Sequence, residues 1–172
     1  MLDAGCGNGS FTAELAGRGY QAHGLDLSDT GLAMARSHHP GARFALGSVY
    51  DDLSGPFGGD PFDAIVTLEV IEHLFEPRRF LRRCHQALRP GGVLVVSTPY
   101  HGYLKNLALA LTGKLDQHFT ALWDGGHIKF WSRRTLGIVL EECGFVVTQS
   151  RGAGRLPWLW RSMVVVARKH TE

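Results

Sequence analysis

Short apolar runs alternate along the chain with stretches in which apolar residues recur every three or four positions. Six runs have the length and composition of β-strands, near residues 21–25, 43–46, 64–68, 93–97, 145–150 and 163–167. The intervening stretches have helical spacing. This alternation predicts an α/β protein with a mostly parallel, doubly wound sheet.

Three of the helices carry recognisable boundary signals. Ser28 is a good N-cap for a helix that follows it, and Ser132 is a good N-cap for a later one that ends at Gly144. Pro77 suits the first position of a helix that stops before the Pro-Gly-Gly sequence at 90–92. These signals place helices between the predicted strands.

The connection between the last two predicted strands is short. Residues 151–161 leave no room for the crossover helix that a parallel pair requires. We therefore expect the last strand to run antiparallel to its neighbour at the edge of the sheet.

A long connection joins Ser97 to Ser132. Leucines and alanines recur in it at helical spacing, which predicts a helix, and it follows the carboxyl end of a strand, where α/β sheets bind ligands. We interpret residues 100–126 as a lid-like insertion that covers the substrate, within one domain spanning residues 1–172. The alternatives are a helix that only packs on the sheet and a helix that touches a membrane surface.

The most informative segment is the apolar strand end and glycine loop at residues 2–10, LDAGCGNGS. Glycines at such a turn permit positive φ and close approach of a ligand to the backbone. Asp26 ends the next apolar run, where in a βαβ unit a carboxylate can accept both hydroxyls of a ribose.

Two details separate this loop from a dinucleotide-binding loop. The third small residue of the dinucleotide pattern is replaced by Ser10, and Asp3 directly precedes the loop, where it would repel a pyrophosphate. S-adenosylmethionine has a ribose and an adenine with a sulfonium and an ammonium but no phosphate, so it fits this charge pattern better. A nicotinamide-dependent dehydrogenase is the rival enzyme.

Four segments together resemble class I S-adenosylmethionine-dependent methyltransferases, in the group that includes ubiquinone-biosynthesis-type O-methyltransferases. They are LDAGCGNGSF at the start, GLDLS around Asp26, FDAIVTLEVIEHL at 62–74 and LRPGGVLVVSTP at 88–99. The resemblance implies a Rossmann-like three-layer sandwich with a seven-stranded sheet and an antiparallel last strand. Only Met1 and Leu2 precede Asp3, so the first strand is truncated, and we expect a fragment or a misplaced start codon.

The resemblance also implies a set of residues that bind the methyl donor. The glycines would form the wall under its methionine part, Asp3 would face the ammonium, Asp26 would hold the ribose, and Leu27 would pack on the adenine. Ser48 and the Val49 amide would read the adenine edge, while backbone groups of Leu68 or Glu69 would line the methyl-donor pocket. The predicted cofactor-binding set is Asp3, Gly5, Cys6, Gly7, Asn8, Gly9, Asp26, Leu27, Ser48, Val49, Leu68 and Glu69.

Acidic and histidine residues follow the predicted strand near residues 64–68. His73 or Glu69 is a candidate general base, since a base needs a pKa near the working pH. Alternatively, Glu69, Glu72, His73 and the distant His127 bind a divalent cation, or Glu72 and His73 only cap a helix and pair with Arg78 or Arg79. Our candidate catalytic residues are His73, Glu69 and His127, and the sequence leaves the metal ligands open.

Composition limits the remaining function classes. The 172 residues are 44% hydrophobic and 20% charged with a net charge of +2, which is too small a charge to indicate a nucleic-acid partner. The three cysteines lack metal-ligand spacing, and we predict reduced thiols in a cytoplasmic protein without a membrane span.

The sequence thus predicts methyl transfer from S-adenosylmethionine to a small-molecule acceptor, with oxygen as the expected nucleophile. A catalytically idle, donor-binding partner subunit is the alternative from another class. An RNA 2′-O-methyltransferase lacks the charge that such a substrate requires.

Overall fold

The polypeptide forms a central sheet flanked by helices, in a computed structural model that describes residues 1–119, 121–154 and 156–170. The strands are β1 Leu2–Ala4, β2 His23–Asp26, β3 Arg43–Leu46, β4 Phe62–Leu68, β5 Leu88–Pro99, β6 Phe145–Ala153 and β7 Ser162–Lys169. The helices are α1 Ser10–Gly17, α2 Asp29–His38, α3 Pro77–Ala87, α4 Tyr103–Leu111, α5 Leu115–Phe119 and α6 Arg133–Glu142. Two 3₁₀ turns span Gly55–Phe57 and Ile71–His73.

The sheet has the strand order β3-β2-β1-β4-β5-β7-β6. Neighbours from β3 to β5 are parallel, whereas β7 is antiparallel to both β5 and β6. The predicted fold class, the antiparallel last strand and the short first strand are confirmed. The order reverses at β1, so ligands are expected at the carboxyl ends of β1 and its neighbours.

The predicted helix boundaries agree with the observed caps. The Ser28 hydroxyl accepts a hydrogen bond from the Gly31 N–H at 3.0 Å, and Ser132 forms a capping box with Thr135. Helix α3 begins at Pro77 as predicted. Each cap satisfies a backbone donor that the first helical turn leaves free.

Strand β5 is longer than predicted because it includes the Pro-Gly-Gly sequence at 90–92. Leu88 pairs with Phe62, and pairing resumes with Val93 opposite Ala64, so the intervening residues bulge out of the ladder. The residues after β4 form the isolated 3₁₀ turn Ile71–His73, so Glu72 and His73 do not cap α3, whose N-cap is Glu76.

The long connection between β5 and α6 contains two helices where the spacing predicted one. Helix α4 ends at Leu111, and Gly113 adopts a left-handed φ of 65° before α5 begins. A left-handed residue interrupts helical geometry, and glycine adopts it without steric cost. The apolar spacing across the break therefore does not belong to one continuous helix.

The core lies on both faces of the central strands. Leu2, Ile65 and Leu94 are fully buried, and helices α3 and α6 cover one side. Cys6, Cys84 and Cys143 are free thiols, and all three are buried. Across the described residues, we find no helix with the length and apolar character to cross a membrane.

Candidate active site

A cavity of about 280 Å³ opens at the carboxyl ends of the parallel strands. It lies at the reversal of strand order, between the loop after β1 and the ends of β2, β3 and β4. Six predicted cofactor-binding residues line it, together with Gly47, Val70, His73 and Leu74; the six are Gly5, Asp26, Leu27, Val49, Leu68 and Glu69. The fold thus brings half of the predicted set to one cavity.

The loop after β1 keeps its backbone close to neighbouring elements. Gly5 and Gly9 have left-handed φ of 86° and 77°. A Cβ at Gly5 would collide with Val70 on the cavity wall, and a Cβ at Gly9 would lie 2.7 Å from Ala35. Both positions therefore require glycine for conformation and for space.

Asp26 connects this loop to the end of β2. Its Oδ2 accepts the Gly7 N–H at 2.8 Å, and its Oδ1 accepts the Ser28 N–H at 2.8 Å. A carboxylate offers about four acceptor positions, so each oxygen can accept a further hydrogen bond. The carboxylate is thus held in place and can still accept from a ligand.

Asp3 is buried behind the loop and does not line the cavity. Its Oδ2 accepts the Thr12 hydroxyl at 2.7 Å. Burial raises the pKa of Asp3 to about 6, and the Thr12 hydrogen bond opposes that rise. The carboxyl group is therefore poised to change its protonation state near neutral pH.

Three other predicted residues, Cys6, Asn8 and Ser48, are not among the residues that line the cavity. The Cys6 sulfur packs against Gly24, and burial raises the pKa of its thiol to about 12. The Asn8 side chain accepts hydrogen bonds from Ser10, and the Ser48 hydroxyl accepts the Tyr50 N–H at 3.2 Å. Contacts of these residues with a ligand would thus involve the backbone, or a different rotamer.

Glu69 lies on the wall between β4 and β5. It has a left-handed φ of 55°, and its N–H donates to the Ser97 carbonyl and hydroxyl oxygens, both at 3.1 Å. The Ser97 hydroxyl in turn donates to Glu69 Oε1 at 2.7 Å. Sequence reasoning missed Ser97, although polar residues at the carboxyl end of an apolar strand are a usable signal.

Glu72, His73 and His127 form a cluster beside the cavity. Their ligand atoms all lie within 4.8 Å of one another. Glu72 is fully buried, its Oε2 accepts the Thr98 hydroxyl at 3.0 Å, and its Oε1 has no hydrogen-bond partner. Burial raises the pKa of Glu72 to about 7.

The environment of His73 determines its tautomer. Nδ1 lies 3.0 Å from the Gly125 carbonyl oxygen and 3.3 Å from that of Gly126. Carbonyl oxygens only accept, so the neutral ring carries its proton on Nδ1 and keeps a lone pair on Nε2. Edge-to-face rings of Trp123 and His127 surround it.

His127 comes from the loop before α6, more than fifty residues after His73. Burial and the neighbouring His73 lower the pKa of His127, while Glu69 opposes this effect. These surroundings therefore favour the neutral imidazole of His127. The expected convergence of His73 and His127 is present.

The interpretation of Glu72 and His73 as helix caps that pair with arginines is wrong. Arg78 pairs with Glu142 at 2.6 Å, and Arg79 pairs with Glu76 at 3.4 Å. Glu72 cannot reach this surface because it is buried against β5.

Strand β7 lies between β5 and β6, and the glycine loop is hydrogen-bonded to the acid that ends β2. These two features define the Rossmann-like fold of class I S-adenosylmethionine-dependent methyltransferases. The profile of a family described as a methyltransferase domain matches residues 1–150. The chain belongs to this family, which excludes the dehydrogenase alternative.

Individual relatives agree with this assignment. The chain is 36% identical over 116 residues to a ubiquinone biosynthesis O-methyltransferase of Caulobacter vibrioides, an alignment covering 66% of this chain and 45% of the relative. The chain thus spans about half the length of this relative.

Two solved structures share the fold. A methyltransferase of Methanosarcina mazei gives a TM-score of 0.75 at 23% identity, over 99% of this chain and 92% of that one. Magnesium protoporphyrin IX methyltransferase from Synechocystis PCC 6803, solved with bound S-adenosylhomocysteine, gives 0.72 at 19% identity, over 98% and 73%.

Proposed function

We propose that the protein transfers a methyl group from S-adenosylmethionine to an oxygen of a small-molecule acceptor. The observation that carries this proposal is the cavity, which has the Asp26 and Glu69 carboxylates in its wall and no lysine or arginine among its described lining residues. Such a cavity favours a cationic nucleoside over a phosphate-bearing one.

The donor fits the residues present. The free acceptor positions of Asp26 suit the two ribose hydroxyls, and the apolar Leu27 and Val49 suit the adenine. The backbone of the glycine loop offers close approach for the methionine part. We also propose that Asp3 acts on the ammonium through water or backbone amides, since its side chain lies behind the loop.

The acceptor must lose a proton during transfer, and we propose His73 as the general base. Its Nε2 keeps a lone pair because Nδ1 donates to the carbonyls of Gly125 and Gly126. When bound, S-adenosylmethionine supplies the methyl group on a sulfonium that is already an activated leaving group. The remaining task of the protein is to orient the acceptor and exclude water, and orientation alone can contribute roughly 7–11 kcal/mol.

A divalent cation at Glu72, His73 and His127 is the second proposal for this cluster. The unpartnered Oε1 of buried Glu72 and the free Nε2 of His73 are donors of the kind that Zn²⁺, Mn²⁺ or Fe²⁺ accepts. A bound cation would acidify the acceptor hydroxyl. Glu69 is not in this cluster, because Ser97 holds its carboxylate.

We propose that residues 100–126 cover the acceptor. This connection follows β5, and its carbonyls at Gly125 and Gly126 bind His73. Within it, the ring of Trp123 packs against both His73 and His127. These contacts hold the end of the connection against the cavity, where an acceptor would have to enter.

The acceptor atom and the cell compartment are also proposals. Oxygen is favoured because of the relative from Caulobacter vibrioides, whose name describes an O-methyltransferase. The free cysteines favour the cytoplasm.

Isothermal titration calorimetry with S-adenosylmethionine tests the donor site. We expect Asp26→Ala to weaken binding tenfold or more, since charge-assisted hydrogen bonds are lost. Asp26→Asn keeps one acceptor oxygen, so it should weaken binding less. Wild-type affinity in both variants would refute the role of Asp26.

Methyl transfer is tested with radiolabelled donor and a panel of phenolic, quinol, sugar and lipid acceptors. Transfer to a hydroxyl supports the proposal. Tight donor binding with no transfer to any acceptor would instead support the idle partner subunit. Activity lost in EDTA and restored by Mn²⁺ or Zn²⁺ would favour the cation over the simple base.

A further inference from the structure

Glu69 adopts a backbone conformation that side-chain-bearing residues avoid. Within the described part of the chain, Glu69 and Trp158 are the non-glycine residues with left-handed φ, and Glu69 has a φ of 55°. Such outliers persist only where surrounding contacts impose them, and they concentrate at binding and catalytic sites. The contacts around Glu69 therefore indicate what its conformation is for.

Ser97 holds Glu69 in this conformation through its carbonyl oxygen, which accepts the Glu69 N–H, and through its hydroxyl group. The hydroxyl oxygen also accepts the Glu69 N–H at 3.1 Å, and its proton goes to Glu69 Oε1 at 2.7 Å. Ser97 itself is buried at the end of β5, so this hydroxyl is fixed by the sheet. The hydroxyl therefore contributes to holding the backbone of Glu69 and also fixes its carboxylate.

The Glu69 carboxylate lies where the donor cavity meets the cluster of Glu72, His73 and His127. Glu69 lines the cavity. Its negative charge also contributes to the raised pKa of Glu72 and opposes the lowered pKa of His127, so it is close to both. A methyl group passing from the cavity toward the cluster would cross this junction.

We propose that Ser97 is a positioning residue that holds the Glu69 carboxylate at this junction, where the carboxylate selects the positively charged methyl donor over its uncharged-sulfur product. This inference rests on the proposed function. S-adenosylmethionine and S-adenosylhomocysteine share the ribose and adenine, so Asp26 treats them alike. They differ by the methyl group and one positive charge, which a nearby carboxylate detects in a partly buried cavity.

The experiment compares the affinities of three ligands by calorimetry. They are S-adenosylmethionine, S-adenosylhomocysteine and sinefungin, in which a carbon that bears an ammonium replaces the methylated sulfur, so the positive charge is kept without the methyl group. The variants are Glu69→Gln, Ser97→Ala and Ser97→Thr. The matched control is Glu14→Gln, which neutralises an exposed glutamate paired with Arg18 on α1.

We expect Glu69→Gln to weaken binding of both cationic ligands by about tenfold, and binding of S-adenosylhomocysteine by less than about threefold. The amide oxygen of the new side chain still accepts from the Ser97 hydroxyl, so this variant preserves the local fold. Ser97→Ala should shift selectivity in the same direction, and Ser97→Thr should restore it because the hydroxyl is retained. Glu14→Gln should leave all three affinities unchanged.

An equal loss of affinity for all three ligands in Glu69→Gln would overturn the inference, because a structural role would not distinguish charge. Unchanged selectivity in Ser97→Ala would overturn the positioning role of Ser97. A wild-type protein that binds none of the three would instead overturn the proposed function, and this inference with it. If Ser97→Ala does not fold, Glu69→Gln still tests the carboxylate, and Ser97→Cys tests the positioning role because a thiol is only a weak donor; unchanged selectivity in Ser97→Cys would then overturn that role.

Discussion

Replacing Asp3 by asparagine should stabilise the protein, and should do so more strongly at higher pH. Asp3 is 2% exposed, and its partner is the Thr12 hydroxyl. Burial raises its pKa from 3.8 to about 6, because the charged form loses hydration that one hydrogen bond does not replace. Asparagine is similar in shape, can accept the Thr12 hydrogen bond and carries no charge.

The sign follows from proton linkage. An acid whose folded-state pKa is raised binds more protons in the folded protein, so stability falls as pH rises from the unfolded pKa through the folded one. With a pKa of about 6 in the folded state, this loss is on the order of 2 kcal/mol at pH 5 and about 3 kcal/mol at pH 8. The advantage of Asp3→Asn over the wild type should therefore grow by on the order of 1 kcal/mol between these two pH values.

Urea unfolding of both proteins at pH 5, 6, 7 and 8, without methyl donor, measures this difference in stability. Contributions from groups that titrate alike in both proteins cancel in the comparison.

Thr12→Val supplies a second test. Without its hydroxyl the charged Asp3 loses its donor, so this variant should lose more stability at pH 8 than at pH 5. A stability difference between Asp3→Asn and the wild type that stays constant from pH 5 to 8 would refute the reasoning.

Further predictions concern the loop, the histidines and the acceptor side. Gly5→Ala should destabilise the protein by about 2 kcal/mol, because alanine would be left-handed here and its Cβ would collide with Val70. The same substitution should weaken donor binding. Thermal unfolding with and without donor measures both effects, and an unchanged Tm would contradict the prediction. His127→Ala should lower turnover and spare donor affinity, so an equal loss of both would count against an acceptor-side role. Thr98→Val removes the donor to Glu72 Oε2 and should lower turnover with little change in donor affinity, and turnover equal to the wild type would contradict this.

The sequence by itself determined the features that depend on neighbouring residues. Helix starts at Ser28, Pro77 and Ser132 are set by capping groups within the first turn, and the structure has them as predicted. The short connection after β6 required an antiparallel last strand, since no crossover helix fits in it. The spacing of the glycine loop and Asp26 likewise placed both at one edge of the sheet.

Only the tertiary structure decided which side chains meet at the candidate site. Ser97 and Glu69 are 28 positions apart, and His73 and Gly125 are 52 apart, so their contacts exist only once β4, β5 and the following connection are assembled. The burial of Asp3 likewise exists only once distant elements of the chain have packed together. Local propensity carries no information about such pairs, because the energy that holds them comes from packing between distant elements.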